Sequence, residues 1–188
     1  RRDEEMDNLH SVYVDQWDWE KVIDRQMRNT EYLKDTVNKI VGAICRTLDC
    51  IKENYPAVTT KLSSNVSFVT TQELEDMYPE MSPKERENAY VKEHRTAFIM
   101  QIGDTLKSGI KHDGRAPDYD DWALNGDIMF WHDTLGCAFE VSSMGIRVDS
   151  ESLDSQLKKS GCDDRRTLEF HRMLLNNELP LTMGGGIG

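Results

Sequence analysis

The chain lacks any run of about eighteen apolar residues, so its sequence predicts no membrane-spanning helix. It also lacks a basic run: 34 acids stand against 23 bases, a net charge of −11. Nucleic-acid partners need a Lys/Arg-rich face to neutralise phosphates, and none is offered here. Its four cysteines, Cys45, Cys50, Cys137 and Cys162, form no C-x-x-C pair. A zinc knuckle or disulfide framework is therefore not expected, and reduced thiols with no visible secretory signal point to the cytoplasm. There is no internal repeat and no low-complexity stretch apart from the terminal glycines. What remains is 188 residues, 38% hydrophobic, enough for one core and hence one domain.

The richest stretch is LNGDIMFWHDTLGCAFEVSSMGIRVD, Leu124 to Asp149. Asp127–Trp131 and Cys137–Met144 read as strands, with the turn residues of His132–Gly136 between them. Alternation puts Asp127, Met129 and Trp131 on one face of the first strand. On the second it groups Ala138, Glu140 and Ser142, with Phe139, Val141 and Ser143 opposite. A carboxylate among such apolar neighbours needs a cation, a donor or water, because burying it unpaired costs roughly several kcal/mol. Two acids on adjacent strands, followed by two serines and Arg147, suit a divalent metal with a bound phosphate. An acidic pair on a solvated sheet face is the alternative from spacing alone.

The flanking segments supply a scaffold. HSVYVDQWDWE, His10 to Glu20, alternates as a strand, and Gln16 and Asp18 extend its valine-lined face like the floor of a pocket. Asn29 or Thr30 opens a helix to about Asn54 whose stripe runs from Leu33 to Ile51. A strand over Asn65–Val69, a helix capped by Thr70 and Glu73, and a helix opened by Ser82, Pro83 and Glu85 follow. Thr96–Ile102 completes this excursion as a buried strand, and nothing in the excursion looks catalytic. Asp104–Trp122 is a charged loop. Ser150 opens a helix ended by Gly161, and Asp163 or Asp164 opens another to about Asn176, burying Leu168, Phe170 or His171, Met173 and Leu174. The glycine run near Gly184–Gly188 permits close backbone approach and positive φ. It is a weak phosphate signal, since no Walker lysine follows.

FEVSSMGIRVD resembles the Glu-x-Ser-Ser-x-Gly-x-Arg strand of AMP-forming asparagine synthetase, the aspartate–ammonia ligase. It is similar, more distantly, to the equivalent strand of aspartyl- and asparaginyl-tRNA synthetases. HSVYVDQWDWE, RAPDYDDW and LPLTMGGGIG resemble further stretches of the same ligase in the same order. The resemblance implies an α+β fold, an antiparallel β-sheet flanked by helices, like the class II aminoacyl-tRNA synthetase catalytic core. Residues 1–188 then read as a single catalytic domain from the middle of a larger ligase, without the family's N-terminal segment and third-motif arginine. Relatives are longer between RAPDYDDW and LNGD, so an omitted loop is expected at 122–123.

The implied reaction is ATP-dependent synthesis of L-asparagine from L-aspartate and ammonia through β-aspartyl-AMP, releasing AMP and pyrophosphate. Asp18, Asp120 and Arg115 are implied as catalytic. Gln16, Asp18, Asp120, Ser142 and Arg147 are implied on the substrate side. Arg1 or Arg2, Ser11, Val14, Arg115, Glu140 and Ser143 are implied around ATP, and Asp127 and Glu140 around Mg²⁺. The same resemblance implies a homodimer, with no nucleic-acid or membrane partner. The alternatives are an aspartyl- or asparaginyl-tRNA synthetase core, and a non-catalytic ATP-binding paralogue.

Overall fold

The computed structural model describes residues 9, 10 and 12–188. Six strands form one sheet in the order β1-β6-β5-β4-β3-β2: β1 Trp17–Val22, β2 Ser67–Thr70, β3 Thr96–Met100, β4 Asp120–His132, β5 Cys137–Arg147 and β6 Thr182–Ile187. All neighbours are antiparallel except β2 and β3. The strand–helix–helix–strand excursion thus extends one edge of the main sheet.

α1, Thr30–Asn54, covers one face. Asn29 caps it by accepting from the Tyr32 amide, and Leu33, Val37 and Val41 are its buried residues. They pack with Phe98, Met100, Ile128, Phe130, Met144, Ile146 and Met183 from four strands. On the other face α2, Thr71–Met77, and α3, Pro83–His94, pack Leu74, Tyr90 and Val91 against Ala97, Ile99, Met129 and Ala138. Both helices start with the expected capping boxes, Thr70 with Glu73 and Ser82 with Glu85. α4, Ser150–Lys159, and α5, Glu169–Leu175, form a third small cluster around Val148, Leu153, Leu157 and Leu174.

Several elements differ from the sequence reading. β1 begins only at Trp17, opposite Ile187, so Val12, Val14 and Gln16 precede the paired strand. β3 stops at Met100 because Gln101 takes φ 63°, and the Asn125 side chain then bonds both main-chain groups of Ile102. The helix expected from Asp163 or Asp164 is broken: a 3₁₀ turn, Asp163–Thr167, is followed by extended Leu168 and then α5. Leu168, expected inside, is exposed; of the alternatives Phe170 and His171 it is His171 that is buried, together with Leu174. The break has a cause. Arg165 and His171 both bond Asp118, and residues six apart on a continuous helix would point about 120° apart. β4 runs through Trp122 and Ala123 with a register irregularity between Asp120 and Asn125.

Among the described residues no helix is long and apolar enough to cross a membrane, and all four cysteines are free.

Candidate active site

The sheet register assembles a polar face. Asp18 on β1 pairs Gly186 on β6, which pairs Ser143 on β5, which pairs Asp127 on β4. The next row with the same facing is Glu20, Gly184, Gly145 and Asn125. Directly opposed residues share a face, so these rows bring acids from separate strands to one surface.

The glycines make room for them. Gly184, Gly185 and Gly186 are extended and none has positive φ, so close approach is the property the fold uses. A Cβ on Gly186 would overlap the Gln16 amide and Asp18, and one on Gly184 would overlap Glu20 and Arg147. The side chains of β1 and Arg147 therefore lie across bare backbone.

Arg147, at the end of β5, is held on several sides. Its Nη1 donates to Asp120 Oδ1 at 2.5 Å, its Nη2 to Glu20 Oε2 at 2.8 Å and to the Tyr119 hydroxyl at 3.0 Å. The guanidinium carbon also lies 3.9 Å from the Tyr119 ring centroid. Burial pushes the Asp120 carboxyl up, against the pull of Arg147. For Glu20 burial acts the same way, but bonds from Arg147 and Thr182 prevail and hold it below its ordinary value.

The strands carrying Asp127 and Glu140 depart from simple alternation. Ile128 opposes Ser142 and Met129 opposes Glu140, leaving Val141 as an extra residue. This β-bulge turns Glu140 and Ser143 to the same face as Asp127. Alternation had grouped Glu140 with Ser142 and set Ser143 opposite; the bulge corrects both. Ser142 instead sits on the α1 side, buried, with an Oγ that has no hydrogen-bond partner.

Asp127 is buried and forms a close ion pair with Arg115, whose Nε has no partner. Burial first, then the nearby Glu140 charge, pushes Asp127 up to about 7, against Arg115 and a bond from Ser143. Glu140 is raised by enclosure and by Glu87, against Arg115 and Lys84, with Asp113 adding to the rise. Its side chain remains open to solvent, so enclosure acts on it more weakly than on Asp127. The carboxylates of Glu87, Asp113, Asp127 and Glu140 outnumber the cations Lys84 and Arg115, which leaves a negative surplus that is greatest once Asp127 has lost its proton. That surplus fits a divalent cation. Among the described residues no three His, Cys, Asp or Glu side chains form a cage for one. Mg²⁺ suits this arrangement, since it takes one or two carboxylates and completes its shell with water and phosphate oxygens.

Val14 and Gln16 are exposed ahead of β1, and Asp18 is exposed within it. Arg1, Arg2 and Ser11 lie outside the described residues. Sequence reasoning gave no role to Glu20, Tyr119, Glu87, His112 or Gln156. Gln156 of α4 is buried and bonds the main chain of Pro117, Asp120 and Trp122 at 2.9–3.1 Å. Its one sequence signal is an amide three residues from Leu153 on the apolar stripe.

Solved structures with this fold include an aspartyl-tRNA synthetase from Entamoeba histolytica, with a TM-score of 0.62 at 18% identity, covering 100% of this chain and 41% of that one. An asparaginyl-tRNA synthetase from Pyrococcus horikoshii complexed with asparaginyl-adenylate matches 92% of this chain and 42% of its own, with a TM-score of 0.54 at 14% identity. These likenesses establish the class II synthetase catalytic fold. Aspartate–ammonia ligases are much nearer in sequence. That of Ruminiclostridium cellulolyticum is 64% identical over 188 residues, and that of Clostridium tetani 60%. Both matches cover 100% of this chain but only 56% and 55% of the relatives, so the chain spans about half their length. The aspartate–ammonia ligase family matches residues 1–188, the whole of the sequence. With that match and these identities, the chain belongs to the aspartate–ammonia ligase family.

Proposed function

We propose that the protein carrying this chain makes L-asparagine from L-aspartate, ammonia and ATP, through β-aspartyl-AMP. The observation that carries the reading is the single sheet face holding both a surplus-negative Asp127–Glu140–Arg115 group and a caged Arg147. The ligase names of the relatives supply the substrate class.

In the first step a side-chain carboxylate oxygen of aspartate bonds to the α-phosphorus of ATP, and the bond to pyrophosphate breaks. In the second, ammonia bonds to the β-carbonyl carbon, AMP leaves and one proton leaves the nitrogen. Such chemistry depends on positioning and charge stabilisation more than on an enzyme nucleophile. Arg147, fixed by Glu20, Asp120 and Tyr119, presents a guanidinium beside the substrate amino acid. Gln16 and Asp18 lie over Gly186 on the same sheet face, and Asp18 is the group assigned to take the departing proton. Arg115 faces the α-phosphate, and Ser143 lines the nucleotide side. Asp127 and Glu140 would hold Mg²⁺, which when bound neutralises phosphate charge. Arg1 or Arg2, Ser11 and Val14 complete the nucleotide side. Ser142 is left out because it faces α1. The protein is read as a cytoplasmic homodimer.

The test uses the full-length protein. Aspartate-dependent exchange of pyrophosphate into ATP, and asparagine formation from ammonia without tRNA, are expected. Exchange without asparagine formation, accompanied by aminoacylation of tRNA, would instead indicate a synthetase. No exchange would indicate a nucleotide-binding paralogue.

A further inference from the structure

The segment between β3 and β4, residues 101–119, carries Arg115 and is fastened by two buried imidazoles. His112 donates from Nε2 to Glu87 Oε1 of α3 at 3.1 Å. His171 of α5 donates from Nε2 to Asp118 Oδ2 at 2.9 Å, and Arg165 reaches the same oxygen at 2.8 Å. Both rings are buried, and in both Nδ1 has no hydrogen-bond partner. Each ring thus spends one bond on one carboxylate from a different part of the fold.

The two attachments have different neighbours. Glu87 also takes Lys84 at 2.8 Å, and α3 is docked on β5 by Asn88, whose side chain accepts from the Ala138 amide at 2.7 Å. His112 therefore ties the loop to the wall beside Glu140, three residues ahead of Arg115 and its bond to Asp127. Asp118 is followed directly by Tyr119 and Asp120, which both contact Arg147. Between the two, Gln156 clamps the carbonyl of Pro117, and the proline ring fixes its own φ. Gln156 holds the Asp120 carbonyl as well, so the stretch from Pro117 to Asp120 has an anchor of its own apart from His112.

We propose that His112 and His171 are positioning residues serving different substrates: His112 sets Arg115 for ATP, and His171 sets Tyr119 and Asp120 around Arg147 for aspartate. This rests on the ligase reading and divides its site in two. A histidine that merely filled space would, when replaced, alter stability or both substrates together.

The experiment is aspartate-dependent pyrophosphate exchange by the full-length protein, with ATP and aspartate varied separately. His112→Leu is expected to raise KM for ATP about tenfold and leave KM for aspartate within about twofold. His171→Leu is expected to do the reverse, also by about tenfold. His112→Gln and His171→Gln keep a donor near the Nε2 position and should recover much of each loss. Where a leucine variant does not fold, Glu87→Gln and Asp118→Asn loosen the same attachments with little change in volume. Equal shifts in both KM values, or none in a folded variant, would overturn the inference. Wild-type protein without exchange would overturn the ligase reading itself, and that outcome is distinct from an active wild type whose variants show no split.

Discussion

Asp127 and Glu140 share one face of the β4–β5 hairpin because Val141 bulges between the pairs Ile128–Ser142 and Met129–Glu140. One carboxylate is buried and the other open to solvent, with Arg115 close to both. The arrangement leaves excess negative charge beside the place assigned to ATP phosphates.

Asp127→Asn and Glu140→Gln should each depress pyrophosphate exchange at low Mg²⁺, with partial recovery at high Mg²⁺. Both keep approximate shape while removing a charge, and losses of about 10²-fold are expected. Exchange measured against Mg²⁺ concentration checks this. Near-wild-type curves from both variants would remove the pair from the site.

The glycine strand gives a positional contrast. Gly184→Ala and Gly186→Ala intrude on Glu20 and Arg147 or on Gln16 and Asp18, and should raise KM for aspartate by about tenfold or more. Gly185→Ala points the other way, into Met144 at 2.5 Å, and should mainly destabilise, by about 1–3 kcal/mol. Chemical denaturation beside kinetics on all three variants separates the effects; a Gly185 variant that lost aspartate affinity alone would contradict the facing.

Much of this was legible in the sequence, for identifiable reasons. The α1 stripe shows itself because helical periodicity is local, as are the Thr70 and Ser82 capping boxes, although it is buried only from Leu33 to Val41 and its far end, Ile51, is exposed. The bulge was invisible, because its extra residue is a valine among apolar neighbours and period-two reading passes straight through it. β1 was read as starting too early because alternation reports two-sidedness, while pairing depends on a partner 170 positions away, Ile187 opposite Trp17. Glu87 stands in α3 among other charged residues, with no local pattern that singles it out. Its contact with His112 spans 25 positions and leaves no local mark.

The raised Asp127 carboxyl has a consequence for stability. Its ordinary value is 3.8 and its folded value about 7. Between these limits the folded state holds a proton that the unfolded state has released. The contribution is therefore fully present below about pH 4 and is lost as pH rises through about 7. Urea denaturation without Mg²⁺ should show wild type losing stability relative to Asp127→Asn across that window. Parallel profiles would contradict the assignment.

Gln156→Leu should destabilise the protein by about 2–5 kcal/mol, because it strands main-chain groups of Pro117, Asp120 and Trp122 in a buried place. Gln156→Glu keeps the acceptor for the Trp122 amide but sets a buried carboxylate oxygen against the Pro117 and Asp120 carbonyls, and should recover none of the loss at neutral pH. Thermal melts of both variants check this, and an unchanged melt for Gln156→Leu would show that the three bonds are dispensable.

The central claim is that this sheet face activates the side-chain carboxylate of aspartate at the α-phosphorus of ATP. Aspartate labelled with ¹⁸O in its β-carboxylate, supplied to the full-length protein with ATP, Mg²⁺ and ammonia, tests it most directly. The account predicts asparagine and AMP in equal amounts, with one labelled oxygen in each AMP phosphate. Unlabelled AMP, as attack through the α-carboxylate would give, or formation of ADP and phosphate instead would contradict it.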